Sequence, residues 1–588
     1  MKILQKCALF CLTLTLLFSA AGCGSVQPVT EQQRFDAFME QVFVSAMESD
    51  YTTAHTYLQI PENFGVDAEK IAVNLGARPG ELYENTLNDE ISAQLQTFRR
   101  SDLTPQQQDI YDIYASELEL SAKLGDEKFL YYQSYFDSLA GLHFALPTVF
   151  ADWNIQNERD VQDLILLLKD VKPYMDSALA YTKQQEENGL LRLDLDAVIN
   201  YCEKILQPGL NSSLLTSMHQ NIETLGLGSA KTATYKEEAT QAFADSFLPA
   251  FEAVRTTMSE FKQNGRNHEQ GLATLEHGKE YYELLLRQKV GSEKSVTEIE
   301  EMMEQELSGH TVKAAMLAIA NPEALKQMTR QELPSTNYRS YTAILDDMKE
   351  LIAEKFPQVS NLNYDIREMS SDLASDSGVT AYFSIPTMDG DSVKQLRVNP
   401  TSNTASSIAT FSAVAHEGFP GHMYQYAYMY ENISSNYIKA LASCLGYTEG
   451  YAVYAQYQAL EYLSGVDKGF LELYRENELA SYCLIILADI GIHYKGWTLQ
   501  DFKEFLNEKG FDLPDDDIQR QYRQLQANPA AFAPYYVGYH EIHNMKKEAK
   551  EKLGEKFDEK AFHTALLESG TAPFQVVQRH IDAYVKNA

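Results

Sequence analysis

The stretch from Ala415 to Gln425, AHEGFPGHMYQ, limits what this chain can fold into more tightly than any other. It holds His416, Glu417 and His422, residue types that ligate metal ions and move protons. When two histidines stand four residues apart, both rings share one helical face and can reach one ion. Here the spacing is six, which on an unbroken helix sets the rings about 240° apart around the axis. Pro420 lacks an N–H and clashes with the carbonyl four residues back, while Gly421 reaches dihedrals closed to other residues. The sequence therefore predicts a helix that carries His416 and Glu417, breaks at Pro420 and Gly421, and turns His422 back toward the same point.

A second carboxylate, Glu449, follows in GYTEGYAVYAQ, 27 positions after His422. HEGFPGH followed by this text resembles the DUF885 family of bacterial proteins, which are grouped with zinc peptidases of the gluzincin type. The resemblance implies zinc held by His416, His422 and Glu449, with Glu417 as general base. It implies a mainly α-helical, zincin-like metallopeptidase fold, large and helical, with a small β-hairpin or sheet beside the metal helix. GKEYYELLLRQKVGS near residue 280 also fits the family, as do Asp489, Gly491, His493 and Trp497. Toward the C terminus the family's Pro-Gly-Gln-Ala text stands here as Pro529, Ala530, Ala531 and Phe532, ahead of the matched Tyr535, and His563 matches a family histidine. Tyr535 is the first candidate for a donor to the oxyanion of an acyl-transfer reaction, followed by His493, Tyr536, Tyr539 and His540. Asp489 and Gln425 are candidates to orient the metal-binding imidazoles.

Elsewhere the text reads as helix. Residues 31–49 have helical periodicity, and Thr104 with Pro105 opens another helix. Residues 142–153, with an internal proline, read as a loop packed on helices, and the helix after them as interrupted near Pro173. Val379 to Ile385 and Val393 to Val398 read as a hairpin turning at Asp389, Gly390 and Asp391, well placed to receive an extended peptide along its edge. Gly450 is expected to let the metal-site helices approach closely. The polar, glycine-containing stretch around residues 225–232 divides the chain into an N-terminal helical region, 31–225, and a region 226–588 whose catalytic core covers about 365–588.

The first 22 residues read as a signal peptide, with Lys2 and Lys6 before an apolar run too short to span a bilayer. The small residues leading to Cys23 resemble the bacterial lipobox, so lipidation of Cys23, a tether over 23–30 and display outside the membrane are expected. That leaves Cys202, Cys444 and Cys483, an odd number that argues against a disulfide scaffold. With 83 acidic and 49 basic residues the net charge is -34, which argues against nucleic acid as a partner. The function expected from these readings is zinc-dependent hydrolysis of peptide bonds in short peptides. The alternatives are an amidase acting on cell-wall peptides or N-acyl amino acids, and a surface lipoprotein that binds without turnover.

Overall fold

The computed structural model describes residues 29–80, 86–330, 332–374, 379–389, 393–402 and 404–588; the expected signal segment, Cys23 and the turn residues Gly390 and Asp391 lie outside these. The principal helices of the first half are α1 (Glu31–Ser49), α2 (Pro105–Leu124), α3 (Leu142–Ala151), α4 (Glu158–Glu187), α5 (Leu195–Leu206) and α6 (Leu248–Asn264). Capping boxes open α1 at Thr30 and α2 at Thr104, each closed by a glutamine three residues on. No described helix is long and apolar enough to cross a membrane.

Two prolines expected to mark breaks lie inside helices. Residues 142–151 form α3 despite Pro147, because His143, Leu146, Pro147 and Phe150 are all buried and packing outweighs one lost hydrogen bond. Helix α4 runs unbroken for 30 residues through Pro173. Pro173 leaves the Lys169 carbonyl without its usual N–H four residues on, and Ser246 supplies the substitute. Its hydroxyl donates to the Lys169 carbonyl (3.0 Å) and accepts the Lys172 N–H (2.9 Å). Ser246→Ala is expected to cost about 1–3 kcal/mol, the usual penalty for stranding buried polar groups. In a Pro173→Ala background the loss should shrink, since residue 173 regains its own N–H. A denaturant double-mutant cycle reads this coupling directly.

The second half contains α7 (Gly278–Val290) and α8 (Val296–Ala320), then a sheet, then α9 (Ile408–Glu417), α10 (His422–Asn432), α11 (Leu445–Leu460), α12 (Lys468–Ile490), α13 (Ala533–Leu553) and α14 (Glu559–Glu568). The sheet has three strands, β1 (Tyr364–Glu368), β2 (Ala381–Ser384) and β3 (Lys394–Val398), in the order β1-β3-β2. The expected hairpin is there, β2 antiparallel to β3. The parallel partner β1 was not expected, although Tyr364, Asp365, Ile366 and Arg367 alternate apolar and polar, because its pairing is with a strand that lies beyond the hairpin's first arm. The described residues are thus mainly α-helical with one small sheet.

Two apolar cores hold these parts. One is built chiefly from α3 to α6, with Val161, Leu164, Val171, Val198, Phe247 and Phe251 fully buried or nearly so. The other takes α2 and most residues beyond Leu272. Helix α1 ties them together, giving Phe35 and Phe38 to one core and Phe43 and Met47 to the other. Cys202, Cys444 and Cys483 are free and buried.

Helices α11 and α13 cross at backbone contact. A Cβ on Gly450 would lie 2.3 Å from the Gly538 carbonyl carbon, and one on Gly538 would lie 1.8 Å from the Gly446 oxygen. The close approach made by Gly450 is therefore to the helix of Tyr535, not to α9 or α10. Glu449 precedes Gly450, and Tyr535 lies one helical turn before Gly538, so the crossing brings both into one site.

Candidate metal centre

Ser407 caps α9 by accepting the Thr410 N–H, and the helix ends at Glu417. It resumes as α10 at His422, across a turn whose Phe419–Pro420 peptide is cis. The turn is closely tied. Gly421 N–H donates to the Ala415 carbonyl (3.0 Å), Tyr424 N–H to Gly418 (3.2 Å), and the Tyr451 hydroxyl to the Pro420 carbonyl (2.9 Å). Gly421 itself lies against α9, where a Cβ would sit 1.8 Å from the His416 oxygen. The two imidazoles consequently face one another nearly edge-on, with ring centres 4.9 Å apart. The two residues added to the ordinary spacing are absorbed in the turn.

Glu449, from α11, points one carboxylate oxygen at both rings. Its Oε2 lies 3.5 Å from His416 Nε2 and 3.7 Å from His422 Nε2. These separations are long for hydrogen bonds and close to the edge of about 3.4 Å of a tetrahedron with metal–ligand bonds of about 2.0–2.1 Å. Glu417 Oε1 stands 3.9 Å from His416 Nε2, and His416, Glu417 and His422 each offer a ligand atom within 4.8 Å of the others. The donor set fits a divalent cation by charge as well as by distance, since two neutral imidazoles and two carboxylates carry a net charge of minus two. The electrostatics of the protein groups alone show the same demand. Burial works against a charged His422, yet Glu449 and then Glu417 outweigh it and raise the ring to about 9. Burial likewise opposes the Glu449 charge, but the two imidazoles hold this carboxylate well below its usual range.

Glu417 is aimed by the sheet. Its Oε2 accepts the Phe383 N–H of β2 at 2.9 Å, which leaves Oε1 toward the histidines. Tyr535 stacks on His416 with ring centres 6.4 Å apart, and Tyr482 of α12 stacks on Tyr535 at 6.2 Å. Burial, with the Glu449 and Glu417 charges nearby, pushes the Tyr535 phenol far above its usual range, so it remains an O–H donor. Gln425, the other candidate for an orienting group, makes no hydrogen bond to His422: both polar atoms of its buried amide, and His422 Nδ1 itself, are without a partner.

Other expected residues lie elsewhere. His493 is fully buried, accepts the Leu272 N–H at Nδ1 (3.2 Å) and meets the Leu525 carbonyl at Nε2 (3.0 Å). Both nitrogens are spent on backbone, and burial lowers this ring to about 3. Asp489 does not orient a metal-site histidine; it accepts the Tyr282 hydroxyl (2.6 Å) and the Ala530 N–H (3.0 Å). Ala530 has a φ of 56°, a left-handed conformation at the position where the family text carries glycine. His563 bridges the Tyr454 hydroxyl and the Lys355 carbonyl and stacks on Phe356, a bracing role. Tyr536 is bonded to His310 and Glu306, Tyr539 packs on Tyr457, and His540 meets Asn544. The sequence reading missed the Phe383 N–H and Tyr482. A backbone donor leaves no sequence mark, and one tyrosine among 36 carries no signal.

Among solved structures the fold is similar to that of a candidate lipoprotein from Colwellia psychrerythraea, with a TM-score of 0.79 and 17% identity over 95% of this chain and 100% of that one. It is also similar to a candidate lipoprotein of unknown function from Shewanella oneidensis, with a TM-score of 0.61 and 16% identity over 94% and 99% of the two chains. No curated protein matches the sequence at a significant level. The sequence profile described as a bacterial protein of unknown function, DUF885, matches residues 79–581, and the chain belongs to that family.

Proposed function

We propose that this protein is a metal-dependent hydrolase of amide bonds in short peptides, with His416, His422 and Glu449 as ligands of a zinc-type ion and Glu417 as general base. A zincin-like relationship of the helical fold is part of this reading. The observation that carries it is the aim of Glu417. A purely structural metal site has no use for a fourth, uncommitted carboxylate oxygen, whereas a base needs one free oxygen and a fixed orientation. Glu417 has both, through the Phe383 N–H.

A bound zinc-type ion would supply an acidified water and a polarised substrate carbonyl. Oε1 of Glu417 takes the proton of the attacking water and returns it to the leaving nitrogen, which an amide cannot otherwise expel. Tyr535 donates its O–H to the oxyanion as charge develops there. Strand β2 is the edge of the sheet, and the direction of the Phe383 N–H shows that Ala381 and Phe383 turn their backbone groups away from β3. With the Phe383 N–H taken by Glu417, an extended peptide can pair with the remaining outward groups of that edge without regard to its side chains, which suits a peptidase of broad sequence range.

A second reading, a surface lipoprotein that binds without turnover, is favoured by the similar structures, both described as lipoproteins and neither as a peptidase. The amidase reading shares the chemistry and differs in substrate. In either reading, export and lipidation at Cys23 are proposed from the sequence.

Metal analysis of the purified protein with a mixed short-peptide library read by mass spectrometry separates these. Hydrolysis predicts about one metal per chain and defined cuts. Tyr535→Phe is expected to keep the metal and lose about 10²–10³ in kcat, as for removal of an oxyanion donor. Metal without cleavage of peptides, cell-wall fragments or acyl amino acids leaves the binding reading. Absence of metal overturns the hydrolase.

A further inference from the structure

The open side of α10 is the side that begins at the metal centre. His422, Tyr426 and Tyr430 stand at four-residue intervals, so each lies about 6 Å further along the axis and about 40° round it from the one before. Every residue between these positions is buried, whereas Tyr426 and Tyr430 are half-buried. The stripe that leads away from the metal ligand is therefore aromatic and partly uncovered.

Strand β2 lays a third ring on that stripe. Phe383, also half-buried, packs on Tyr426 with ring centres 5.5 Å apart, and Tyr426 meets Tyr430 edge-on at 5.9 Å. This wall is held at both ends. At the metal end the Phe383 N–H donates to Glu417 Oε2 (2.9 Å), so the residue that supplies the ring also aims the base. At the far end the Tyr430 hydroxyl donates to the Pro386 carbonyl (3.1 Å). Just beyond, the Met388 N–H donates to the Tyr57 carbonyl (2.7 Å), and Asp389 accepts the N–H groups of Gln59 and Ile60 (2.6 and 2.7 Å). Residues 57–60, from the N-terminal half, are thus tied to the chain just past the end of the wall, about two helical turns from His422. That length suits one large side chain.

We propose that Phe383 and Tyr426 form the subsite for an aromatic side chain on the substrate residue next to the scissile amide. This rests on the hydrolase reading of the metal centre and deepens it. The position follows from Glu417. The base meets the edge of β2 at Phe383, so the part of an extended peptide lying beside Phe383 is the part whose amide is attacked. A side chain there, on the face that the Phe383 ring takes, neighbours it at the cross-strand distance of about 4.5–5.5 Å between Cβ atoms. Two rings already tilted against each other accept a third edge-on or offset, and an aromatic guest gains more than the area it covers. A charged guest would lose its water without gaining a counter-ion from these rings.

The test uses the purified, metal-loaded protein and short peptides of one alanine frame that carry Phe, Ala or Glu in turn at each position. Cuts are expected beside Phe, with kcat/KM about 10–100-fold above the all-alanine frame, and Glu below it. Tyr426→Leu keeps apolar bulk and loses the ring; it should retain metal and lower the Phe-to-Ala ratio about tenfold. Phe383→Leu is the second variant and should act alike, its N–H still available to Glu417. A structural role alone would lower both rates together and leave the ratio unchanged. A wild-type ratio near unity, or a wild-type ratio kept by Tyr426→Leu with metal intact, overturns the proposal while the hydrolase reading stands. Should the wild type cleave no peptide, calorimetric titration of the Phe and Ala peptides decides. Binding of the Phe peptide about tenfold tighter, and lost in Tyr426→Leu, keeps the aromatic site and sinks the hydrolase. Equal binding of the two peptides overturns both.

Discussion

Glu417→Gln is expected to lower kcat/KM on a cleaved peptide by about 10²–10⁴ and to leave bound metal unchanged, the range found when a general base is removed. Glutamine has the same length and can still accept the Phe383 N–H through its amide oxygen, so the side chain keeps its position. What it loses is the ability to take a proton at the atom facing the histidines. About 1.4 kcal/mol of transition-state stabilisation goes with each factor of ten. The metal content is the more discriminating readout. His416, Glu417 and His422 could by distance hold an ion among themselves, with Glu449 as the auxiliary group. In that arrangement Glu417→Gln would release the metal, and Glu449→Gln would retain it and lose rate. The convergence of both Nε2 atoms on one oxygen of Glu449 favours the first arrangement. Parallel metal analysis of the two variants decides between them.

How much of this site can be read in the sequence depends on where each contact comes from. The histidine pair is legible because Pro420 and Gly421 have local consequences that any folded context must respect. Glu449 and Tyr535 are legible only by resemblance, since their meeting depends on the crossing of α11 and α13 at Gly446, Gly450 and Gly538. Nothing local to either residue encodes that crossing. Pro173 shows the opposite failure: a strong local signal for a break is overridden by one hydroxyl, Ser246, which arrives from 73 positions away. The β2–β3 hairpin is visible through two strand-like runs on either side of an Asp-Gly-Asp turn, whereas β1, despite the alternation of Tyr364 to Arg367, pairs in parallel from outside the hairpin with no turn to announce it. His493 has the setting of a functional histidine in sequence, but its two nitrogens are fixed by backbone groups of residues 272 and 525, distant in sequence and invisible there.

The turn that unites the histidines also sets the severest expected mutational effect away from the ligands themselves. Gly421→Ala would place a methyl carbon 1.8 Å from the His416 oxygen and 2.5 Å from the Ala415 oxygen. Both neighbours are backbone atoms in the last turn of α9, so no side-chain rotation relieves the clash. The helix end has to move, and the hydrogen bond from Gly421 N–H to Ala415 is lost with it. A cost of about 3 kcal/mol or more is expected, at or beyond the upper end of ordinary overpacking. Because the displaced residues are His416 and its neighbour, metal binding should fail with the fold still cooperative. Gly418→Ala provides the comparison within the same turn: its nearest neighbour at 2.4 Å is the Leu345 Cδ2 atom, the end of a side chain that can rotate, though the Val414 oxygen at 2.6 Å also resists. Metal content and denaturant midpoints of the two variants test this ordering. If Gly421→Ala binds metal like the wild type, the turn is not what holds His416 and His422 together. If it unfolds no more easily than Gly418→Ala, the contact with α9 is looser than these distances require.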